Sequence, residues 1–460
     1  MGNSTSVCMA VDSKVKIDQW DKDHSWHPFT PMKDYVEFPI TQLKSAQGCW
    51  ISDTEGGRYL DGNASNWSKV HGHNDPDLNA ALVEQMNQMA HVSYKGLGHP
   101  TAAKLCEQLA RLTPQGLTRS FFTDNGSCAI ETAVKLSFQY WQMSGRETKR
   151  EVIAIRNGYH GDTIGSMSVG DAGGFHNRFS AWMFDKHVIP APICQEYAGK
   201  VSFQDDTESL QALTQLLEER SEHIALMTME PWILGPGGLK LHPKGFLKKV
   251  RALCDEYEVH LILDEIFVGF GRMGPMFVCG AEDVCPDFLC LSKGLNGGYL
   301  PFAATVTTEK MYQAFLGDYA EMKTFFHGHT FAANALCTAV SVRSIEKLEP
   351  MIASGAIDRR IKVFEQKIIE HLEGHPYISE IRQRGLACGI DISRGRGKPA
   401  FTVEDQIGFK FYLDALENGL LLRPIGNTVY MIPSLIMNEE EMDLLCKQTA
   451  ASIRTVVEKA

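Results

Sequence analysis

The chain has 460 residues, 44% hydrophobic and 22% charged, enough for about two to four conventional domains with a sizeable apolar core. Its 45 lysines and arginines against 56 aspartates and glutamates leave a net charge of −11, which argues against a nucleic-acid binder and against an anionic membrane surface as partner. No run of about 20 apolar residues predicts a transmembrane helix, and twelve cysteines without Cys-x-x-Cys or zinc-type His/Cys spacing read as reduced thiols of a cytoplasmic enzyme with no metal site.

Residues 1–24 are polar and irregular and predict a loose N-terminal arm. Met1-Gly2-Asn3-Ser4-Thr5-Ser6 fits the N-myristoylation pattern, although the simpler reading is a frayed polar terminus, and no signal peptide is evident. Ordered structure is expected from Ser25, where Trp26, Pro28 and Phe29 make an extended segment that packs or binds. Residues 48–51 and 58–62 flank Asp53-Thr54-Glu55-Gly56-Gly57 and predict a hairpin. Residues 63–67 and 70–73 form an irregular polar and aromatic stretch of the kind that carries function. Helices are predicted over 76–89, with Leu78, Leu82, Val83 and Met86 on one side, and over 101–112.

A strand over 119–123, a turn at Asp124-Asn125-Gly126-Ser127 and a helix over 128–141 bring free N–H groups to the positive end of a helix dipole. Gly126 allows close backbone approach and the Ser127 hydroxyl adds a donor, which suits a phosphate; the same residues also suit a plain N-cap. After a strand over 151–155, Tyr159 stands among Gly158, His160 and Gly161, placed either to lie flat over a planar ligand or to pack on its own turn. Residues 171–205 lack periodicity and predict an extended surface excursion. A helix over 210–221, a strand over 224–229 ending in Glu230-Pro231, a glycine-rich loop at 235–238 and an amphipathic helix over 245–257 follow.

Two largely apolar runs come next, 259–263 and 287–291, and read as buried parallel strands. The first stops at Asp264-Glu265 and the second at Ser292-Lys293, the ends at which open α/β sheets bind ligands. A carboxylate and a lysine so placed suit pyridoxal phosphate, whose aldehyde needs an amine to hold it and whose ring nitrogen needs a carboxylate to keep it protonated. Beyond Phe325-Phe326-His327-Gly328-His329-Thr330-Phe331 a helix is expected over 334–348. Helices over 357–372 and 407–418 then alternate with strands over 378–384, 387–391 and 429–431, before a last helix over 439–457. The pattern predicts an α/β fold with a mainly parallel sheet, followed by a smaller α+β domain. Its boundaries are read as an arm over 1–24, a first part of the small domain over 25–64, a large domain over 65–345 and the rest of the small domain over 346–460.

Asp124-Asn125-Gly126-Ser127-Cys128-Ala129-Ile130-Glu131, Asn157-Gly158-Tyr159-His160-Gly161-Asp162-Thr163, Glu230-Pro231, Leu263-Asp264-Glu265-Ile266 with Gly269-Phe270-Gly271-Arg272, and Ser292-Lys293-Gly294 with Gly297-Gly298 arrive in one order. In that order the chain resembles the class III pyridoxal-phosphate aminotransferases of fold type I, from Trp26 to the last helix. The resemblance implies a seven-stranded-type sheet and a small domain built from both termini. It implies that Lys293 holds pyridoxal phosphate covalently, Asp264 pairs with its ring nitrogen, Tyr159 stacks on the ring, Gly126 and Ser127 bind the phosphate, and Glu230 lies beside the cofactor. Gly328, His329 and Thr330 would reach the partner subunit's cofactor, so a C2 homodimer with shared sites is implied.

Within the class, Trp26-His27-Pro28-Phe29-Thr30, Gln139-Tyr140-Trp141 and Leu422-Arg423-Pro424-Ile425-Gly426 are most similar to the branch that aminates 8-amino-7-oxononanoate in biotin synthesis. There Arg423 would bind the distal carboxylate of the substrate, and Phe29, Asn66, Trp67 and Arg272 would line the same cleft. Phe267-Val268 stands where that branch has smaller residues, His329 where proline is common, Asn66 where some members have tryptophan and Phe29 where some have tyrosine. The last two leave the donor open between S-adenosylmethionine and lysine. An ω-aminotransferase of the same class, acting on another amine or ω-amino acid, is the alternative.

Overall fold

The computed structural model describes residues 14–38 and 40–460, so the Met1–Ser6 pattern lies outside the described residues. A seven-stranded sheet forms the centre. Its strands run, edge to edge, Leu117–Thr123, Ala303–Thr308, Phe288–Leu291, His260–Asp264, Ile224–Met229, Glu151–Ile155 and His187–Ile189. All neighbours are parallel except Ala303–Thr308, which is antiparallel to both of its partners. The strands Ile224–Met229, His260–Asp264 and Phe288–Leu291 are buried throughout. Helices on both faces cover them, which is why these strands read as largely apolar runs instead of alternating ones.

Both ends of the chain meet beside this sheet. The strands Leu43–Gln47, Trp50–Asp53 and Arg58–Asp61 form the predicted hairpin region, and Leu420–Leu421 adds to it in parallel, pairing with Leu60 and Asp61. A further sheet joins Ile378–Arg384, Ala387–Ile392 and Thr428–Met431. The last helix, Glu439–Glu458, packs on Ala356–Leu372 and Ile407–Glu417. Asn438 caps it through a reciprocal capping box with Glu441, which closes two otherwise unpaired N–H groups.

Four expectations change. Residues 14–24 are a helix, not an irregular arm. None of its residues is buried, so it shows no apolar period; it is docked by Asp21, which accepts from Tyr35 Oη at 2.8 Å and Gln42 Nε2 at 3.0 Å. The 171–205 stretch supplies the edge strand His187–Ile189 and a hairpin of Ile193–Tyr197 with Lys200–Asp205. The second hairpin strand is exposed at every position, so no alternation marks it. Helix Pro76–Gln88 buries Leu78 and Gln85, while Val83 and Met86 are half exposed. Ala303–Thr308, the reversed strand, had no counterpart among the predicted elements. The eleven described cysteines are free, and no described helix is long and apolar enough to cross a membrane.

Candidate active site

A cavity of about 690 Å³ opens at the carboxyl ends of the central strands. Asp264 closes its strand, and Lys293 follows the neighbouring one, in which Cys290 pairs with Asp264. Both line the cavity together with Gly126, Ser127, Tyr159 and Glu230. Lys293 itself has a left-handed backbone, φ 43°, at the head of the tight turn Lys293–Asn296. At Gly298, φ is 73° and a side-chain carbon would stand 2.5 Å from Ser68 Oγ, so only glycine lets the chain leave this turn.

The Lys293 amine lies 4.6 Å from the centroid of the Trp67 ring and 5.6 Å from that of Phe267. Enclosure lowers its pKa to about 8, with Asp264 and Glu230 opposing the shift and Arg272 adding to it. About a tenth of the amine is therefore neutral at pH 7, far more than an ordinary lysine offers, and neutral is the form required of a nucleophile and of a base. Asp264 is held on both oxygens: Oδ1 accepts from Ile266 N at 3.0 Å, and Oδ2 lies 2.8 Å from His160 Nδ1. His160 is buried, and its Nε2 has no partner among the described residues. Glu230, also buried, accepts from Tyr159 N at 3.1 Å and Gly235 N at 2.9 Å. Burial, with Asp264 nearby, raises its carboxyl to about 8.

The opposite wall suits an anion. Gly126 and Ser127 begin the 18-residue helix Gly126–Met143, and Asn125 Oδ1 caps Cys128 N at 3.0 Å. Gly161, φ 122°, presses on Ser127 so closely that a side-chain carbon there would stand 2.0 Å from Ser127 Oγ. The hydroxyl also accepts from Asp162 N at 3.1 Å, which ties the Tyr159 loop to the helix start. Tyr159 Oη donates to Asp162 Oδ2 at 2.8 Å, and its ring stacks on His176 at 5.5 Å between centroids. An enclosed amine, a fixed carboxylate, an aromatic ring and a helix N-terminus around one cavity form the donor set that pyridoxal phosphate needs.

Phe29, Asn66 and Arg423, all exposed, and the buried Trp67 line the same cavity. Arg423 Nη2 donates to Phe29 O at 2.5 Å and Thr30 Oγ1 at 3.1 Å. Arg272 does not join them: it is 1% exposed, and its Nη1 donates to the carbonyls of Leu386 (3.3 Å) and Pro433. It acts on the cavity through its charge alone. Gly328, His329 and Thr330 do not line this cavity either; His329 Nδ1 lies 2.8 Å from Asp124 Oδ2. Sequence reasoning missed His160, Asp61, Phe175 and Tyr430, which complete the walls. His160 stood in view inside the Gly-Tyr-His-Gly segment, whereas Asp61 and Tyr430 end or occupy short strands and carry no sequence signal.

Comparison with known proteins places the site in a family. The model of the family "Aminotransferase class-III" matches residues 32–453. An adenosylmethionine-8-amino-7-oxononanoate aminotransferase of Geobacter sulfurreducens is 40% identical over 447 residues, covering 96% of this chain and 98% of that protein. One of Staphylococcus aureus is 36% identical, with 96% and 98% covered. The crystal structure of the Methanocaldococcus jannaschii protein of the same name superposes with a TM-score of 0.90 at 32% identity, covering 96% of this chain and 99% of that one. A transaminase from the marine bacterium Virgibacillus superposes with a TM-score of 0.87 at 27% identity, with 96% and 99% covered. With the family's pattern matched from residue 32 to residue 453, this chain belongs to the class III aminotransferases.

Proposed function

We propose that this chain transfers an amino group to 8-amino-7-oxononanoate, giving 7,8-diaminononanoate, with pyridoxal phosphate as cofactor and S-adenosylmethionine or lysine as donor. The observation that carries this reading is Arg423, set at the mouth of a cavity whose floor holds Lys293 and Asp264. A guanidinium there suits the carboxylate at the far end of a long-chain keto acid. The names of the relatives at up to 40% identity support the same acceptor.

Bound pyridoxal phosphate supplies an aldehyde that exchanges amino groups and a ring that withdraws electrons from the carbon bearing the amine. Lys293 Nζ would hold that aldehyde between turnovers. The neutral Nζ would accept the proton from the donor's amine-bearing carbon and carry it across the cavity. Asp264, fixed by His160, would keep the ring nitrogen protonated. Gly126 and Ser127 would hold the phosphate and Tyr159 would cover the ring, while Glu230 braces the Tyr159 and Gly235 backbones. Phe29, Asn66 and Trp67 shape the space in which donor and acceptor take turns.

Purified enzyme assayed with 8-amino-7-oxononanoate and each donor separately should form the diamine with at least one of them. Activity confined to simple ω-amino acids or amines would replace this acceptor by the wider ω-aminotransferase reading. Arg423→Met is expected to raise KM for 8-amino-7-oxononanoate about 10- to 100-fold, the value of one hydrogen-bonded charge pair, and to change kcat less. An unchanged KM removes Arg423 from substrate recognition.

A homodimer is part of the proposal. Gly328 and Thr330 are exposed, and Phe326 and Phe331 beside them expose large apolar side chains, which suits a segment that leaves its own cavity for a neighbour's. Sedimentation should give twice the 51.2 kDa chain mass, and a monomer that turns over would remove the shared site.

A further inference from the structure

We propose that Asp61 is a positioning residue for substrate binding, holding the backbone of residues 64–67 in a left-handed turn that sets Asn66 and Trp67 into the cavity. The inference rests on the reading of this cavity as the aminotransferase site. Ala64, Ser65, Asn66 and Trp67 have φ of 44°, 44°, 67° and 73°, four successive residues in a region that L-amino acids avoid, and none is glycine. Single residues of this kind occur at turns; a run of four persists only where the surroundings impose it.

The Asp61 side chain imposes it. Its carboxylate is 2% exposed and is surrounded by the turn it precedes. Oδ1 accepts from Asn63 N at 3.3 Å and Ser65 N at 3.0 Å. Oδ2 accepts from Ser65 Oγ at 2.7 Å and lies 2.8 Å from His73 Nε2. The turn closes on itself through Trp67 N to Asn63 O, 2.8 Å, and Ser68 N to Ala64 O, 2.9 Å. As a result the Trp67 ring packs at 4.5 Å from Phe267 and edge-on to Tyr430 at 5.6 Å, with the Lys293 amine over its face.

Both Asp61 oxygens are engaged by the turn and His73, so the carboxylate acts through the two side chains it places and not as a proton carrier. Without it, the turn has a free-energy gradient toward ordinary backbone angles. Asn66 and Trp67 would then leave their places while Asp264, at the end of its strand, and Lys293, at the head of its own turn, keep theirs. Substrate binding should suffer more than the proton transfers, which feel the change only through the Trp67 ring beside the Lys293 amine.

The test uses the full-length enzyme loaded with cofactor. Asp61→Ala, which removes every acceptor the turn uses, should raise KM for 8-amino-7-oxononanoate about tenfold or more, with kcat within about threefold of the parent and the bound-cofactor absorbance unaltered. Adding Ala64→Gly, which lowers the cost of a positive φ, should recover most of the lost affinity. Crystal structures should show Ser65 and Asn66 at negative φ in Asp61→Ala and at positive φ again in the double variant. If Asp61→Ala is too unstable to purify, Ser65→Ala, which removes one donor, should raise KM by a smaller factor. A KM left unchanged by Asp61→Ala and Ser65→Ala, or positive φ retained without Asp61, overturns the proposal. So does a parallel loss of kcat and affinity that Ala64→Gly does not repair, because that marks a role in folding alone. Should the parent enzyme refuse this acceptor, the substrate reading fails by itself, and the backbone angles of the variants still decide the role of Asp61.

Discussion

Lys293→Ala is expected to lower transamination by about 10⁴-fold or more while the protein still folds and still binds pyridoxal phosphate without a covalent bond. The variant removes the nucleophile and the base together, and no other amine lines the cavity: the other buried side chains around it are carboxylates, a histidine tied to Asp264, aromatic rings, Asn63 and Ser292. Absorbance after dialysis and gel filtration reads the loss of the tether, and a variant that borohydride still fixes covalently to the cofactor, or that retains turnover, overturns the assignment. Lys293→Arg separates charge from nucleophilicity and should be equally inactive. The same residue predicts a pH effect. Its pKa of about 8, against an ordinary 10.5, means that between these values the unfolded chain carries a proton the folded chain has lost. Stability of the cofactor-free protein should therefore rise with pH across that window, and Lys293→Ala should flatten the rise. Capture of pyridoxal phosphate by the cofactor-free enzyme should likewise increase to about pH 8 and then level off. A capture rate still climbing at pH 10 would mean that the amine is not desolvated.

How much of this could be read from sequence depended on what each element had to bury. Strands enclosed on both faces, such as Ile224–Met229 and His260–Asp264, announce themselves as largely apolar runs because a buried polar side chain needs a partner. The ionisable residues at their ends, Asp264 and Lys293, stand out for the same reason: they interrupt the run where it leaves the core. Helix Lys14–His24 and strand Lys200–Asp205 bury nothing, so their hydrogen bonding leaves no trace in composition. Ala303–Thr308 is buried but rich in threonine and alanine, which gives neither a strong apolar run nor an alternation.

The candidate site was legible to the extent that it is local. Gly126, Ser127 and Tyr159 lie in strand–turn–helix or strand–loop segments whose local geometry follows from the segment itself, while the roles proposed for them came from the order of the motifs along the chain. Arg272 looked equally available in Gly-Phe-Gly-Arg, yet its side chain turns away to the Leu386 and Pro433 carbonyls, a fact that depends on chain more than 100 residues distant. The left-handed turn at Ala64–Trp67 is the clearest case of information absent from the sequence, since no glycine marks it and only the three-dimensional surroundings of Asp61 account for it.

Asp264→Asn is expected to reduce turnover about 10³-fold with little change in fold. A carboxylate facing a protonated ring nitrogen at about 4 Å, with an effective dielectric constant of about 20, stabilises the cation by about 4 kcal/mol, and 4 kcal/mol in a barrier is about a thousandfold in rate. The amide is nearly the same size, and the Ile266 N–H can still donate to its oxygen, so packing is preserved. Proton uptake by the ring is what is lost, and the long-wavelength absorbance of the bound cofactor should shift accordingly. His160 acts one bond further away. Its Nδ1 at 2.8 Å from Asp264 Oδ2 is a hydrogen bond to a charged acceptor, worth about 1.5–3 kcal/mol, so His160→Asn should cost about 10- to 100-fold. Because the histidine works only through the carboxylate, the two losses should not add: the double variant should be no slower than Asp264→Asn alone, within about threefold. Full additivity would give His160 a role of its own, with its unpartnered Nε2 as the atom to examine next. Asp264→Asn activity within tenfold of the parent would mean that the ring holds its proton by other means, and would remove Asp264 from the mechanism.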